Sequence, residues 1–147
     1  YPTACQIIQR RTDSLLLGIG DSETSLIDNL RYSGVIGNLV NEDIKFGSLL
    51  GGRHYCSFST KVGDLPLDLK GVQYETDACY ETDNYIIIIE AKNGDLEDFN
   101  IRQLYLPFRV VHDEVKSKKK IVSLFICKCK DLIHIYKFKW KNFCKEN

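Results

Sequence analysis

Two acids and one lysine stand close together near the middle of the chain: Asp77, Glu90 and Lys92. Glu90 and Lys92 are separated by one residue, so on a β-strand their side chains point to the same face. Carboxylate oxygens suit Mg²⁺, which binds through one or two carboxylates and keeps water and substrate phosphates at its other positions. A neighbouring lysine can hold the attacking water and offset charge that develops on phosphorus. These residue types predict metal-assisted hydrolysis of a phosphate ester.

The elements that must position these side chains are predicted to be two strands of a hairpin. Residues 72–80 alternate between polar and apolar in the manner of a strand, and residues 85–91 are rich in isoleucine, which is typical of a buried strand. A two-residue turn at Asp83-Asn84 joins them, so that the numbers of opposed residues sum to 167.

This register brings four side chains to one face of the hairpin. Asp77 lies across from Glu90, and Glu75 lies across from Lys92. If the turn lies at Thr82-Asp83 instead, the numbers of opposed residues sum to 165, and the four side chains still share one face. A turn with an odd number of residues would place the side chains of the two strands on opposite faces. Opposed carboxylates about 5 Å apart repel each other unless a cation lies between them.

The other elements follow from apolar spacing, helix caps and turn residues. A helix is expected after Asp21 or Ser22, interrupted by Gly34 and Gly37, and a strand lies within residues 53–61, followed by a turn at residues 63–66. A helix capped by Asp95 starts near residue 96, and Pro107 kinks or breaks it. Strands at residues 121–129 and 132–140 are joined at Lys130-Asp131.

This order predicts an α/β domain with a central mixed β-sheet flanked by helices. We expect a single domain over residues 1–147, with residues 1–45 as an N-terminal helical part and residues 46–147 as the α/β core that carries the site. Because residue 1 is Tyr and the chain has no Met, we expect it to be an excerpt of a longer protein.

The net charge of zero hides a segregation of charge. Residues 1–113 hold ten Lys and Arg against seventeen Asp and Glu, whereas residues 114–147 hold ten Lys against three acids. The lysines at positions 116–120 are typical of a solvated turn, and they also suit an edge that faces phosphates. Lys118, Lys119 and Lys120 are therefore candidate phosphate contacts.

The cysteines indicate in which cellular compartment the protein functions. The chain has six cysteines, no secretory signal and no apolar run near the ~18 residues of a membrane span. We therefore expect reduced, buried thiols in a cytoplasmic protein with no membrane partner. The alternative is zinc held by Cys127, Cys129, Cys144 and His134, but the Cys127–Cys129 spacing is tighter than usual structural zinc pairs.

Asp77, followed thirteen residues later by Glu90-Ala91-Lys92, resembles the Asp…(Asp/Glu)-x-Lys signature of the PD-(D/E)XK nuclease superfamily. The wider stretch, residues 73–81, 89–93 and 98–109, looks most like type II restriction endonuclease-like members, and the resemblance covers about residues 46–130. The resemblance implies that Asp77, Glu90 and the backbone carbonyl of Ala91 bind metal, that Lys92 is catalytic, and that Glu75 and Gln103 support the site. Thr76 stands where the signature often has proline. Two further candidates for phosphate contacts are Arg102 and Arg109.

The resemblance implies a Mg²⁺-dependent endonuclease that cuts double-stranded DNA to 5′-phosphate and 3′-hydroxyl ends, acts as a homodimer and accepts Mn²⁺ in place of Mg²⁺. Two alternatives remain: a nuclease specific for junctions or flaps, and a DNA-binding module that keeps the fold without cleaving. No nucleophile motif surrounds His54, His112 or His134, and no P-loop or dinucleotide motif is present.

Overall fold

The computed structural model describes residues 14–16, 19–94, 98–116 and 118–141. In chain order the elements are α1 (Glu23–Tyr32), α2 (Val35–Val40), β1 (His54–Val62), β2 (Leu65–Tyr74), β3 (Ala78–Glu81), β4 (Tyr85–Asn93), α3 (Arg102–Val115), β5 (Lys120–Cys129) and β6 (Leu132–Phe138). The fold is α/β, as the sequence predicts.

A mixed four-stranded sheet in the order β3-β4-β5-β6 forms the centre of the protein. β4 and β5 are parallel and connected through α3, whereas β3 and β6 run antiparallel to their neighbours. One core joins α1 and α2 to one face of the sheet, through residues such as Leu30, Ile36 and Ile87. A second core joins α3 to the opposite face, through residues such as Leu104, Phe108 and Ile88. Helices therefore cover both faces.

β4 is the central strand, and its sequence explains its place. Residues 86–91 are all buried, because the β-branched side chains of its isoleucine run fill both cores at once. Odd-numbered residues of the strand face α1 and α2, and even-numbered residues face α3. Glu90 and Lys92 therefore leave the sheet on the side of α3, as parity requires.

The predicted register between β3 and β4 is confirmed. Ala78 pairs with Ile89 and Glu81 pairs with Ile86, so the residue numbers sum to 167. The Thr82 N–H donates to the Tyr85 carbonyl at 2.9 Å, which leaves Asp83-Asn84 as a two-residue turn. In this register Asp77, one residue before β3, projects toward Glu90.

The turn is held in place by the Thr82 side chain, which is fully buried. Its hydroxyl donates to the Glu42 carboxylate and accepts from the Tyr85 N–H at 3.0 Å. Glu42 also accepts from the backbone and side-chain amides of Asn84. These hydrogen bonds lower the pKa of Glu42, that from Thr82 most. The loop after α2 therefore supports the turn that sets the register of the site.

We expect Thr82→Val to lower the free energy of unfolding by about 1–3 kcal/mol, because it removes the acceptor of the half-buried Tyr85 N–H and one hydrogen bond to the Glu42 carboxylate. Urea denaturation followed by circular dichroism measures this loss. Thr60→Val is the matched control: the Thr60 hydroxyl is half-buried and lies 3.4 Å from the Tyr105 hydroxyl, so the expected loss is about 0.5 kcal/mol or less. Equal losses in the two variants would show that the Thr82 hydroxyl does not stabilise the turn.

The single strand predicted over residues 72–80 is wrong. The chain is extended up to Tyr74 in β2, leaves the ladder over residues 75–77, and resumes as β3 at Ala78. β2 pairs with β1 in a separate two-stranded antiparallel sheet, so the chain has to change direction before it joins the central sheet. The Thr76 hydroxyl donates to the Leu50 carbonyl at 3.0 Å and fixes this change of direction.

β1 and β2 form a hairpin that we call the ribbon, residues 54–74. Val62 pairs with Leu65, so Gly63-Asp64 is a two-residue turn, and the positive φ of 60° at Gly63 suits the first position of such a turn. The predicted strand within residues 53–61 is confirmed as β1, whereas the predicted turn at 63–66 is shorter because Leu65 and Pro66 already belong to β2.

The N-terminal helix is confirmed as α1. The Ser22 hydroxyl accepts from the Ser25 N–H at 3.1 Å and caps the helix. Gly34, with φ of 80°, ends this helical run, but the expectation that Gly37 also interrupts it is wrong: Gly37 lies inside α2. Gly34 changes the direction of the chain, and the short helix α2 follows it. This helix is stabilised because Val35, Ile36 and Val40 are buried in the core beneath the sheet.

The helix predicted from residue 96 begins later, at Arg102, and residues 98–100 are not helical. The predicted cap Asp95 lies outside the described residues. Pro107 neither ends the helix nor divides it, since α3 runs through it to Val115. A proline inside a helix lacks the N–H that would bond to the carbonyl four residues earlier, and its ring crowds that carbonyl. Pro107 is nevertheless fully buried within a continuous helix.

The hairpin of β5 and β6 is confirmed, with Cys129 paired to Leu132 across the turn Lys130-Asp131. Among the described cysteines, Cys79 and Cys127 are buried, and Cys56 and Cys129 are half-buried. Burial raises the pKa of Cys79 to about 12. Cys5 and Cys144, the latter part of the zinc alternative, lie outside the described residues. None of the described helices has the length and apolar character that crossing a membrane requires.

Candidate functional site

A cleft of about 500 Å³ opens where three parts of the fold meet. They are the end of β2 with the segment that follows it, the end of β4, and the first turns of α3. The residues that line the cleft are Gln73, Tyr74, Glu75, Asp77, Glu90, Lys92, Asn100, Arg102, Gln103 and Leu106. The two acids and the lysine predicted from the sequence are therefore brought together in one cavity.

Asp77 is held at the end of the β3–β4 ladder. Its Oδ2 accepts a hydrogen bond from the Ala91 N–H at 2.8 Å. The backbone pairing of β3 with β4 has already ended at Ala78 and Ile89, so the side chain takes the place of a backbone acceptor. The Asp77 residue is exposed to the cleft. The N–H and C=O of one residue in an extended strand point to the same side. The Ala91 carbonyl is thus directed toward the side of β4 that Asp77 occupies.

Glu90 is buried, with only 4% of its surface exposed. Burial, and then the charge of Asp77, raise the pKa of Glu90 from 4.5 to about 7, against the opposing influence of Lys92. A carboxylate at this position lacks the solvation that it would have in water, and one ammonium group does not fully replace it. This environment favours a proton or a cation beside Glu90.

Lys92 lies next to Glu90, with its Nζ 3.2 Å from Glu90 Oε1. Burial lowers the pKa of Lys92, but Glu90, Glu23 and Asp77 together outweigh burial and raise it. Lys92 is therefore a cation at neutral pH. Its side chain is 38% exposed, so the ammonium group is open to the cleft while one side contacts the acids.

Glu23 is a neighbour of this site that the sequence did not indicate. Its Oε1 lies 4.0 Å from Lys92 Nζ, because α1 begins beside the end of β4. An acid in the first turn of a helix is usually explained by the helix dipole, and nothing in the sequence relates Glu23 to a lysine so far along the chain. Asn100 and Leu106 of the cleft lining were also missed.

The donor set fits Mg²⁺ in its chemistry. Two carboxylates, from Asp77 and Glu90, and the Ala91 carbonyl are hard oxygen ligands, and the remaining positions of the ion are normally taken by water or substrate. The desolvated Glu90 supplies a reason for a cation to bind. Among the residues that the structure describes, no group of three or more His, Cys, Asp or Glu side chains is placed to share an ion, so the site depends on that carbonyl and on outside ligands.

The two predicted supporting residues lie in the cleft. Gln103 lines the cleft from the first turn of α3. Arg102, a predicted phosphate contact, precedes Gln103 on α3 and also lines the cleft. Glu75 also lines the cleft, although it is not paired with Lys92 as the hairpin predicted. The break at residues 75–77 turns it toward Arg53, whose Nε lies 3.4 Å from Glu75 Oε1, and both side chains are exposed.

The structure does not bring the other predicted phosphate contacts into the cleft. Arg109 is paired with Asp113 at 2.9 Å and lies over the ring of Phe58, 5.1 Å from its centroid. Lys120 pairs with Tyr85 at the opposite end of the sheet, five residues or roughly 17 Å from the level of Glu90.

The two lysines that precede Lys120 differ from each other. Lys118 is exposed beside Lys120. Lys119 is half-buried and donates to the Glu81 carboxylate and to the Thr82 carbonyl, at 2.5 and 2.7 Å. In this structure Lys119 therefore stabilises the end of β3 and is already paired with an acid.

Comparison with known proteins found one family and no individual relative. A family model described as a domain of unknown function, DUF6997, matches residues 5–147. No curated protein and no solved structure matches the chain. Because the family model spans nearly the whole chain, the protein belongs to the DUF6997 family.

Proposed function

We propose that the protein is a Mg²⁺-dependent DNA endonuclease with a restriction endonuclease-like core. The observation that carries this proposal is the convergence of Asp77, buried Glu90 and cationic Lys92 in one cleft, at the end of a central strand. The mixed sheet with helices on both faces is the architecture that the sequence resemblance implies.

Asp77, Glu90 and the Ala91 carbonyl would hold the metal ion. Bound Mg²⁺ would supply Lewis-acid polarisation of the scissile phosphate and a lower pKa for water. The hydrogen bond from the Ala91 N–H fixes one oxygen of Asp77, so this carboxylate is already oriented before substrate binds. Burial of Glu90 keeps its negative charge poorly solvated, which strengthens its attraction for a cation.

Lys92 is suited to two roles in this reaction. Its Nζ is a cationic donor that can orient the attacking water by a hydrogen bond, and its positive charge can stabilise the negative charge on the phosphate oxygens in the transition state. Glu90 fixes the ammonium at 3.2 Å, so little reorganisation is required when the substrate binds. Proton abstraction by Lys92 is disfavoured because it is protonated at neutral pH.

Gln103 and Arg102 complete the cleft on the side of α3. Arg102 is exposed and can form charge-assisted hydrogen bonds with a phosphate next to the scissile one. Gln103 is half-buried, lines the same cleft and carries amide donors. We propose that both position the DNA backbone, since contacts to phosphate fix register without reading sequence.

Incubation of supercoiled plasmid with the protein, in Mg²⁺ and in EDTA, tests the activity. We expect nicked or linear product in Mg²⁺ alone, with Mn²⁺ as a substitute, and product ends that DNA ligase rejoins because they carry 5′-phosphate and 3′-hydroxyl groups. Discrete bands would indicate a site-specific enzyme, and preferential cutting of branched duplex would indicate a junction or flap nuclease. If the protein binds the plasmid but the plasmid stays supercoiled, the result would favour the alternative function, a DNA-binding module that does not cleave.

We propose that the protein acts as a homodimer, because one cleft can cut only one strand at a time and two clefts are required to cut both strands of a duplex together. Sedimentation of the protein on a duplex would then give the mass of two chains, and both strands would be cut in one binding event. A single chain per duplex together with nicked product would assign the activity to a monomer.

A further inference from the structure

The outer face of the ribbon continues directly into the cleft. Along β1 the side chains alternate between half-buried and exposed, which places Tyr55, Ser57, Ser59 and Lys61 on the exposed face. Tyr55 pairs across the ribbon with Gln73, and Gln73 lines the cleft. The lining of the cleft and the outer face of the ribbon therefore meet at Gln73.

The inner face of the ribbon is fixed against α3. Phe58 contacts the Tyr105 ring, with centroids 6.3 Å apart, and the guanidinium of Arg109 lies over Phe58. The Thr60 hydroxyl lies 3.4 Å from the Tyr105 hydroxyl. Because α3 also supplies Arg102 and Gln103 to the cleft, the same helix sets the position of the ribbon relative to the site.

The outer face has the chemistry of a surface that contacts bases and phosphates. It presents aromatic, hydroxyl, amide and ammonium groups, and Tyr55 is 65% exposed despite its large ring. Opposite β1 the face is continued by Asp68, which accepts from the Ser59 hydroxyl, and by Gln73. Such groups can donate to and accept from base edges, whereas lysine reaches phosphates.

The dimensions of the ribbon match a duplex that enters the cleft. From Gln73 to the turn at Leu65 the strand spans eight residues, or roughly 27 Å, the rise of about eight base pairs. A two-stranded antiparallel ribbon is one of the elements that the major groove, about 12 Å wide, admits. An extra residue in β2, where Lys70 and Gly71 stand opposite Ser57, bends the ribbon along its length.

We infer that the outer face of the ribbon is a binding surface for double-stranded DNA, which it contacts in the major groove on one side of the scissile phosphate. This inference rests on the proposed function and names the surface by which the substrate is held. Tyr55 and Gln73 lie nearest the site, and Lys61 contacts phosphate about six residues farther along β1.

Binding of the full chain to a fluorescent duplex of about 30 base pairs, measured by anisotropy in EDTA to prevent cleavage, tests the inference. We expect Tyr55→Ala to raise Kd at least fivefold and Lys61→Glu at least tenfold. Loss of a phosphate contact also makes the salt dependence of binding less steep by about one unit of the log–log slope, so this change is expected in Lys61→Glu alone.

Matched controls remove the same groups elsewhere. Tyr32→Ala removes a tyrosine that is 60% exposed on α1, and Lys137→Glu reverses an exposed lysine on β6. Both controls are expected to stay within twofold of the wild-type Kd. Should Tyr55→Ala fail to fold, Lys61→Glu decides the question, because an exposed lysine at the end of β1 contributes little to stability.

The inference is overturned if the ribbon variants bind like the controls, if the controls weaken binding equally, or if the wild-type protein binds no duplex. It is also overturned if the ribbon variants change the mass of the free protein, since the face would then be a contact between two copies. If binding depends on the ribbon and yet the plasmid is never cut, the ribbon surface stands and the proposed nuclease activity fails.

Discussion

Lys92→Ala is expected to lower the initial rate of Mg²⁺-dependent plasmid cleavage by at least two orders of magnitude. Removing a single preorganised donor or charge from the transition state typically costs a factor of 10² to 10³. Lys92 is cationic, open to the cleft and fixed by Glu90 at 3.2 Å, so no other described side chain occupies its place beside the acids. Arg102, the other described basic residue that lines the cleft, lies on α3.

Asp77→Asn is expected to cause a loss of similar size. The asparagine keeps the shape of the side chain and can still accept from the Ala91 N–H, but it carries no charge to hold a cation. Lys137→Ala and Asp83→Asn are the matched controls: each removes the same kind of charge from an exposed position on β6 or in the β3–β4 turn. Initial rates from gel densitometry at saturating Mg²⁺ measure all four variants.

Retention of more than a tenth of the rate in both Lys92→Ala and Asp77→Asn would remove the chemical basis of the proposed site. Equal losses in the controls would show that charge in general, and not the cleft, controls the rate. Circular dichroism of each variant separates loss of activity from loss of fold, since both cleft residues are at least partly exposed and their replacement is expected to leave the spectrum unchanged.

Glu90→Gln is expected to abolish cleavage while stabilising the metal-free protein at alkaline pH. The pKa of Glu90 is about 7 in the folded protein and 4.5 without the fold, so folding favours the protonated form. The destabilisation of the folded protein by the ionised Glu90 carboxylate is absent below pH 4.5, grows between pH 4.5 and 7, and is complete above pH 7. The shift corresponds to about 3 kcal/mol of the free energy of unfolding, at 1.36 kcal/mol per pKa unit.

Thermal melting in EDTA at pH 5 and at pH 8 measures this effect. The melting temperature of Glu90→Gln relative to the wild type should be several degrees higher at pH 8 than at pH 5. Mg²⁺ at pH 8 should raise the melting temperature of the wild type, because it binds the charged form of the folded protein, and should have little effect on Glu90→Gln.

Glu75→Gln is the matched control for stability, since the Glu75 side chain lines the same cleft but is 56% exposed. We expect the difference between this variant and the wild type to be nearly the same at pH 5 and at pH 8. A wild type that gains stability relative to Glu90→Gln on going from pH 5 to pH 8 would contradict the burial of an uncompensated charge at Glu90.

The parts of the site that follow from local pattern could be predicted from the sequence. The isoleucine run identifies β4 as a central strand, and the polar pair Asp83-Asn84 identifies its turn, so the register that sets Asp77 against Glu90 comes from two adjacent strands. Parity then places Glu90 and Lys92 on one face. Each of these steps depends on neighbours within about 20 residues of one another.

The parts that depend on distant contacts could not be predicted. The alternating pattern that begins at residue 72 gives no sign of the break at residues 75–77, where the chain leaves the ribbon for the central sheet. This break occurs because β2 pairs with β1 and Thr76 bonds to Leu50. The approach of Glu23 to Lys92 requires the packing of α1 on the sheet. The pairing of Lys119 with Glu81 depends in the same way on where β5 begins.

The most direct test of a metal-dependent phosphodiesterase site is a single time course of supercoiled plasmid with wild-type protein in Mg²⁺, run beside Asp77→Asn and beside wild type in EDTA. We expect conversion to nicked or linear DNA with wild-type protein in Mg²⁺ and none in the other two reactions. Plasmid that stays supercoiled with excess wild-type protein in Mg²⁺ and in Mn²⁺, or cutting that Asp77→Asn performs equally well, would contradict it.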